Sequence, residues 1–355
     1  MGISRMSATR FVLAACCAAA ALAGCATRAA TTAGEAITPG PSGPPTLAMV
    51  TYASGLVDAS LDRSARRGLA LARRRLGATV TVMEAGAASD GETDLAALAK
   101  RGMRMIYAVG YPMRDDLAVV ARRYPKQRFA MIGAVVGAPN VVSVTFEQRD
   151  GSFLAGALAG LVTRTGTVGF LGGMDLPFIR RHEVGFAAGA RQTNPAVRVL
   201  VRYAGSFDDA LAGKALAREL FDRGADIVYA AAGTTGLGAI EEVERRPAGQ
   251  YVISADADED ALAPGKVLTS MVDHADVAVF TVAREVSEGR YPAGHMVLGV
   301  AERGVGLART PYLDALLSTR DAAKLKAIER AMAAGEITPP STRAELSAFA
   351  PVSVK

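Results

Sequence analysis

The chain has 355 residues, half of them hydrophobic and 21% charged, with a formal net charge of +5 at pH 7. That length corresponds to about two domains of roughly 100–200 residues each, and the apolar content excludes wholesale disorder. Basic and acidic residues are interleaved without a run of five like charges, and Trp is absent, so the composition does not support a nucleic-acid-binding protein.

The N-terminal 24 residues have the pattern of a secretory signal peptide. Arg5 and Arg10 precede an apolar run over residues 11–23, which is shorter than the roughly 20 residues that span a bilayer. The sequence Leu-Ala-Gly-Cys at residues 22–25 resembles the bacterial lipobox, in which the cysteine is acylated and becomes the first residue of the mature protein. We therefore expect Cys25 to be a lipid anchor; the alternative is an ordinary secreted protein that is cut elsewhere.

Residues 25–46 are rich in Ala, Thr, Gly and Pro, which predicts a flexible tether between the anchor and the folded part. All three cysteines lie within the first 25 residues, so the rest of the chain cannot form a disulfide or a cysteine metal site. The three histidines are widely spaced. We expect neither a metal nor a cofactor.

The folded part begins with short apolar strands that alternate with helices of 10–17 residues. Hydrophobic spacing, glycine stops and one proline stop predict strands at 47–52, 79–84, 105–109 and 129–132, and helices at 60–76, 90–101 and 114–123. This alternation is typical of a parallel sheet covered by helices on both faces.

The same alternation starts again after residue 150. It predicts helices at 151–163, 177–192, 209–223 and 236–245, and strands at 166–171, 197–203, 227–231 and 251–255. Two such halves predict two doubly wound α/β lobes with a cleft between them. A later strand-helix unit at 267–288 is expected to return to the first lobe. The predicted boundaries are 47–146 with 269–293 for the first lobe and 147–268 with 294–345 for the second, with hinge crossings near 144–150, 268–271 and 294–298.

Segments that follow the predicted strands are rich in glycine and aspartate. In open parallel sheets, ligands bind outside the carboxyl ends of the strands. Close backbone approach and short acceptor side chains suit a small polar molecule that carries hydroxyl groups. The alternative is that these residues only build turns and helix caps.

Enzymatic motifs are absent from the sequence. The glycine-rich stretch at residues 233–238 lacks the spacing of a dinucleotide-binding loop, and no phosphate-loop lysine or nucleophile elbow occurs. Residues 256–260 resemble the start of a calcium loop, but Ala261 stands where that loop needs glycine. We therefore expect a protein that binds without catalysing a reaction.

Ordered motifs lie between residues 47 and 340, at residues 143–146, 150–156, 169–175, 179–181, 203–207, 254–258, 267–271 and 304–308. Together they resemble the basic membrane protein (Med-type) family of ABC transporter substrate-binding lipoproteins, which includes purine-nucleoside receptors. The resemblance implies a type I periplasmic-binding-protein fold, hinge closure on a nucleoside-like ligand, and ABC permease and ATPase partners. It implies a monomer on the bacterial cell envelope that faces the periplasm or the exterior. A sensor or surface lipoprotein with the same fold is the alternative.

The first family motif, Asp-Lys-Ser-Phe-Asn-Gln, is only partly matched. Asp58 and Ser60 agree with it, whereas Leu61 replaces the phenylalanine that would stack on a purine and Asp62 replaces the asparagine. One ring of the family's two-ring sandwich is therefore missing, and Tyr111 on a neighbouring loop is a possible substitute.

Two further positions depart from the family pattern. Gly133 stands where the family has an aspartate that reads the base, and Asp273 stands where it has a lysine near the sugar. Phe207, Gly233 and Asp256 match the family's stacking ring, loop glycine and sugar-side acid. The resemblance thus implies a ligand site at Asp58, Ser60, Leu61, Asp62, Tyr111, Gly133, Phe207, Gly233, Asp256 and Asp273.

Overall fold

The computed structural model describes residues 42–52, 59–86, 90–256 and 258–354. The predicted signal peptide, Cys25, Asp58 and most of the predicted tether therefore lie outside the described residues. Among the described helices, none is both long enough and apolar enough to cross a bilayer.

The first lobe contains a six-stranded sheet. Its strand order is β11-β5-β4-β3-β1-β2, and all its neighbouring strands pair in parallel. The strands are β1 (Thr46–Tyr52), β2 (Thr79–Ala85), β3 (Met105–Val109), β4 (Phe129–Ile132), β5 (Val141–Phe146) and β11 (Gly294–Leu298). The helices packed on this sheet are α1 (Ala59–Leu76), α2 (Asp90–Lys100), α3 (Met113–Arg123) and α8 (Ala275–Ser287).

The second lobe contains another six-stranded sheet, in the order β12-β10-β9-β8-β6-β7. Only β12 runs antiparallel to its neighbour. The strands are β6 (Thr167–Gly172), β7 (Arg198–Tyr203), β8 (Ile227–Ala231), β9 (Tyr251–Asp256), β10 (Val267–Asp273) and β12 (Val305–Leu307). The helices are α4 (Gln148–Val162), α5 (Pro177–Thr193), α6 (Ala210–Asp222), α7 (Thr234–Glu244), α9 (Pro311–Leu316), α10 (Thr319–Ala333) and α11 (Arg343–Ala348), and a short 3₁₀ turn spans Asp260–Leu262.

Side-chain alternation along the strands explains why both faces of each sheet are covered. In β1, Leu47 and Met49 belong to the apolar cluster on the α1 and α8 side. Ala48 and Val50 belong to the cluster on the α2 and α3 side. Successive side chains of a strand point to opposite faces, so a continuous apolar run fills two layers at once. The predicted α/β architecture with two parallel-dominated sheets is confirmed.

The chain crosses between the lobes three times, after β5, after β10 and after β11. Two predicted boundaries were wrong. The strand β10 stays in the second sheet, where it pairs with β9, and only the following helix α8 returns to the first lobe. The strand β11 pairs with β5 in the first sheet, although residues 294–298 were assigned to the second lobe. Both errors arose because an isolated strand does not reveal which sheet edge it will extend.

The end of the predicted tether also differs from expectation. The backbone N–H of Gly43 donates to the carbonyl of Ser287 at 2.9 Å, and Arg104 donates to the carbonyl of Gly43 at 2.9 Å. Thr79 N–H donates to the carbonyl of Pro45 at 3.0 Å. Residues 43–46 are therefore part of the first lobe.

Helices α4 and α5 approach closely enough that their contact depends on glycine. A Cβ atom on Gly189 would overlap the carbonyl oxygen of Phe153, and one on Gly156 would overlap that of Phe186. We expect Gly189→Ala to reduce the free energy of unfolding by about 3 kcal/mol, at the upper end of overpacking costs because backbone must move. Gly137→Ala, which meets no atom within 4 Å, is the matched control and should stay within about 0.5 kcal/mol of wild type in urea unfolding. Equal stability of the two variants would contradict this packing.

Candidate functional site

A cavity of about 1180 Å³ lies between the lobes, at the carboxyl ends of strands from both sheets. Its volume slightly exceeds the roughly 300–1,000 Å³ of typical small-molecule sites. Six residues predicted from the sequence line it: Leu61, Tyr111, Gly133, Gly233, Asp256 and Asp273. The rule that ligands bind outside the carboxyl ends of parallel strands therefore located this cavity correctly.

The remaining predicted residues lie near the cavity or outside the described residues. Ser60 lines a smaller cavity of about 370 Å³, which shares Asp256 and Asp273 with the larger one. Asp62 forms an ion pair with Arg66 at 2.8 Å and is not among the described lining residues.

The first lobe supplies an apolar wall. Leu61 lies over Gly133, where a Cβ atom would be 3.3 Å from the leucine Cδ2, and Phe146 lies at the end of β5. Gly133 has a φ of 89°, a conformation that L-residues rarely adopt. This backbone therefore favours glycine at a position where the family pattern has an aspartate, and Leu61 occupies the space in front of it.

The second lobe supplies an aromatic wall made of two rings. Phe178 lines the cavity and is 52% exposed, and it stacks on Phe207 with ring centroids 6.1 Å apart and an interplanar angle of 19°. Phe207 packs against Gly173, where a Cβ atom would be 2.5 Å from its Cε1. Phe207 is not among the described lining residues, so Phe178 is the ring that faces the cavity.

Tyr111 stands at the rim of the first lobe and is 63% exposed. The guanidinium of Arg114 lies 4.7 Å from its ring centroid and donates to its hydroxyl at 2.9 Å. These contacts hold the tyrosine ring at the mouth of the cavity, opposite the aromatic wall of the second lobe.

Two carboxylates form the polar end of the cavity. Asp256 ends β9 and Asp273 ends β10, and the amide nitrogen of Gln148 donates to both, at 3.4 Å and 3.0 Å. Asp256 has a φ of 70°, a left-handed conformation that is uncommon for a residue other than glycine. Its carbonyl accepts a hydrogen bond from the Ser60 hydroxyl at 3.1 Å, which joins the two lobes directly.

The described lining is more acidic than basic. It contains the carboxylates of Asp256, Asp273 and Glu259 and one cation, Arg181. Such a field favours neutral or cationic ligands over phosphorylated ones. In the adjoining loop, burial raises the pKa of the Asp258 carboxyl above its usual range, and Asp260 adds to this effect.

Sequence reasoning missed Gln148, Phe178 and Arg181. Gln148 begins α4, two residues after the end of β5, a strand that was not predicted, so the rule of strand ends could not reach it. Phe178 and Arg181 lie on the first turns of α5, inside the predicted helix at 177–192, whereas the rule of strand ends points only to the segments between a strand and the next helix.

Comparison with known proteins identifies the family. The sequence profile of the PnrA-like ABC transporter substrate-binding proteins, the Bmp family, matches residues 46–339. The chain belongs to this family. Its members bind a substrate for an ABC transporter outside the cytoplasm and do no catalysis, and the resemblance drawn from the ordered motifs is confirmed.

Two relatives are similar to this chain in sequence, and one solved structure is similar to it in fold. The ABC transporter nucleoside-binding protein BmpA of Lactococcus lactis is 30% identical over 298 residues, covering 77% of this chain and 85% of the relative. The CD4+ T-cell-stimulating antigen of Listeria monocytogenes is 32% identical over 288 residues, covering 74% and 80%. A solute-binding protein of an ABC transporter system from Aeropyrum pernix superposes with a TM-score of 0.65 at 26% identity, covering 86% of this chain and 96% of that one.

These likenesses confirm the predicted periplasmic-binding-protein fold. The interlobe cavity of this PnrA-like chain thus lies where a substrate-binding protein is expected to hold its substrate, and the polar and aromatic walls described above supply the groups that would contact it.

Proposed function

We propose that this protein captures a purine nucleoside, or a close analogue, between its lobes and presents it to an ABC permease with its ATPase. The observation that carries this proposal is one cavity with an aromatic wall at Phe178 and a carboxylate pair at Asp256 and Asp273. A base needs a flat apolar surface and a sugar needs hydrogen-bond acceptors, so the two ends of the cavity match the two parts of a nucleoside.

The base is expected to lie between Phe178 and the first lobe. Leu61 and Phe146 offer an apolar surface there, and Tyr111 at the rim offers a second ring. Phe207 supports Phe178 from behind through the stacked contact. The proposed ring contact is thus made by Phe178, with Phe207 as its support.

The sugar is expected at the carboxylate end. One amide nitrogen reaches both carboxylates, at 3.4 Å and 3.0 Å, so the two oxygens that it contacts lie no further apart than the two hydrogen-bond lengths together. That spacing suits two acceptors that receive hydrogen bonds from adjacent hydroxyls of one sugar ring. The nucleoside-binding relative in Lactococcus lactis supports a ligand of this class.

The anchor is the second part of the proposal. The lipobox-like sequence that ends at Cys25, and the proline-rich segment that follows, support a lipoprotein held at the membrane surface. Three crossings between the lobes support closure by a hinge, with Ser60 and Asp256 meeting across it.

Titration calorimetry with adenosine, guanosine, inosine and their 5′-monophosphates tests the ligand class. We expect at least one nucleoside to bind and each monophosphate to bind more weakly than its parent, because the phosphate meets an acidic lining. A rise in melting temperature with the same nucleoside is the independent readout. Tighter binding of the monophosphates, or no binding of any nucleoside, would contradict the assignment.

A further inference from the structure

A chain of hydrogen bonds runs from the cavity into the second lobe, partly buried at Gln148 and fully buried beyond His182. It starts at Gln148, whose amide nitrogen donates to Asp256 and Asp273. The oxygen of the same amide lies 3.2 Å from Nε2 of His182, which is buried at 2% exposure on α5. One side chain therefore connects two cavity carboxylates to a histidine that does not line the cavity.

The other ring nitrogen of the histidine faces two hydroxyls. Nδ1 of His182 lies 3.0 Å from both the Ser152 hydroxyl and the Tyr229 hydroxyl, and those two hydroxyls are 2.9 Å apart. Burial lowers the pKa of His182 to about 4, so the ring is neutral near pH 7. A neutral imidazole has one donor and one acceptor, so its two nitrogens play different parts here.

The two carboxylates and the imidazole together allow one arrangement of protons around the Gln148 amide. If Nε2 were the acceptor, Gln148 would turn its NH₂ group towards His182 and its oxygen towards Asp256 and Asp273. That arrangement would bring the amide oxygen and the two carboxylates together without a proton between them. At least one polar group would then be left without a hydrogen-bond donor. With the proton on Nε2, His182 donates to the amide oxygen, and Nδ1 accepts from Ser152 or Tyr229.

We propose that Gln148 is a positioning residue that holds Asp256 and Asp273 in the geometry of the ligand site, and that the Nε2–H form of His182 fixes the orientation of its amide. This proposal rests on the proposed function for the identity of the ligand. Gln148 acts on the ligand site through the two carboxylates, and His182 acts on the carboxylates only through Gln148.

Other charged groups surround the carboxylate pair, and the Gln148 amide is a neutral donor that both carboxylates share. Glu259 and Arg181 face the pair from the larger cavity, and Asp258, Arg63, Arg67 and His274 line the smaller cavity on its other side. Two nearby carboxylates repel, and a donor shared between them offsets that repulsion. Without the amide, one carboxylate will take up a proton more readily as the pH falls, and ligand binding will weaken.

Affinity for adenosine, measured between pH 5 and pH 8, tests the positioning role. We expect Gln148→Leu to weaken binding about tenfold at pH 7, as for a lost hydrogen bond to a charged group, and to make affinity fall more steeply towards pH 5 than in wild type. His182→Leu should shift the profile in the same direction, because the amide oxygen of Gln148 then loses its donor and the amide is held less firmly. His182→Gln keeps an N–H donor and should restore most of the wild-type profile.

Gln192→Leu is the matched control. Gln192 is a buried glutamine on the same helix as His182, and it bonds to the backbone of Val352. Its loss should leave the pH profile of binding unchanged, provided that circular dichroism shows each variant to be folded. A control profile that shifts like that of Gln148→Leu would overturn the proposal.

Nitrogen-15 spectra of the histidines provide a readout without any ligand. Wild-type His182 should show a protonated Nε2 and an unprotonated Nδ1 at pH 7, and Gln148→Leu should lose that strict preference. An Nδ1-protonated ring in wild type, or an unchanged tautomer in Gln148→Leu, would overturn the proposed coupling between His182 and the Gln148 amide. If adenosine fails to bind wild type while the tautomer is as stated, the proposed function fails and the orientation of the amide stands.

Discussion

Replacing Phe178 by alanine should lower the affinity for a purine nucleoside by about 10- to 100-fold. Stacking of a base on an aromatic side chain contributes on the order of 1–3 kcal/mol, and Phe178 is the ring that faces the cavity from the second lobe. The effect should be large because Leu61 on the facing wall cannot replace the lost ring. Titration calorimetry of the variant with adenosine or inosine measures it.

Phe207→Ala should have a smaller effect on the same measurement. Phe207 contacts Phe178 face to face and is expected to act by holding that ring in place. Tyr312→Ala is the control, since Tyr312 is an aromatic residue with 42% exposure that is not among the cavity's lining residues. If Phe178→Ala keeps wild-type affinity while Phe207→Ala loses it, the ring contact lies at Phe207 and the proposed geometry is wrong.

Cys25→Ser should release nearly all of the protein from the membrane fraction. An acylated cysteine holds a protein on a membrane through about 0.8 kcal/mol for each buried CH₂ group, so stable anchoring is lost when the acyl chains are absent. The folded lobes should be unaffected, because the first strand of the first lobe begins only at Thr46. Fractionation with salt and carbonate washes, followed by immunoblotting, measures the release.

The control for the anchor is Cys17→Ser. Cys17 lies in the apolar run of the predicted signal peptide, and its replacement should leave the protein with the membranes. Retention of Cys25→Ser after the washes, or equal release of both variants, would contradict lipid anchoring at Cys25.

The parts of the fold that were predictable are those with a dense local signal. The buried strand β8 was predicted with its observed bounds because Ile227 to Ala231 is an apolar run between a glycine-containing turn and a glycine-rich loop. The strands β5 and β11 were not predicted, because each lies at a lobe crossing and neither is followed by a helix of the same lobe. Their place in the sheet depends on pairing with each other, which is a long-range contact.

The same distinction applies to the site. Gly133, Gly233 and Asp256 follow strands, so the general rule for parallel sheets found them. Phe207 was the predicted ring, but Phe178 faces the cavity. This difference depends on how the loop after β7 packs against Gly173, which no local pattern reveals. The pairing of Asp62 with Arg66 is a side-chain choice between neighbours on one helix turn, which no sequence pattern specifies.

A crystal structure of the protein with a bound nucleoside tests the central claim most directly. We predict that the base lies against Phe178, that the sugar hydroxyls donate to Asp256 and Asp273, and that Gln148 keeps its contacts with both carboxylates. A nucleoside bound outside the interlobe cavity, or one with its sugar at Phe178 and its base at the carboxylates, would contradict the account.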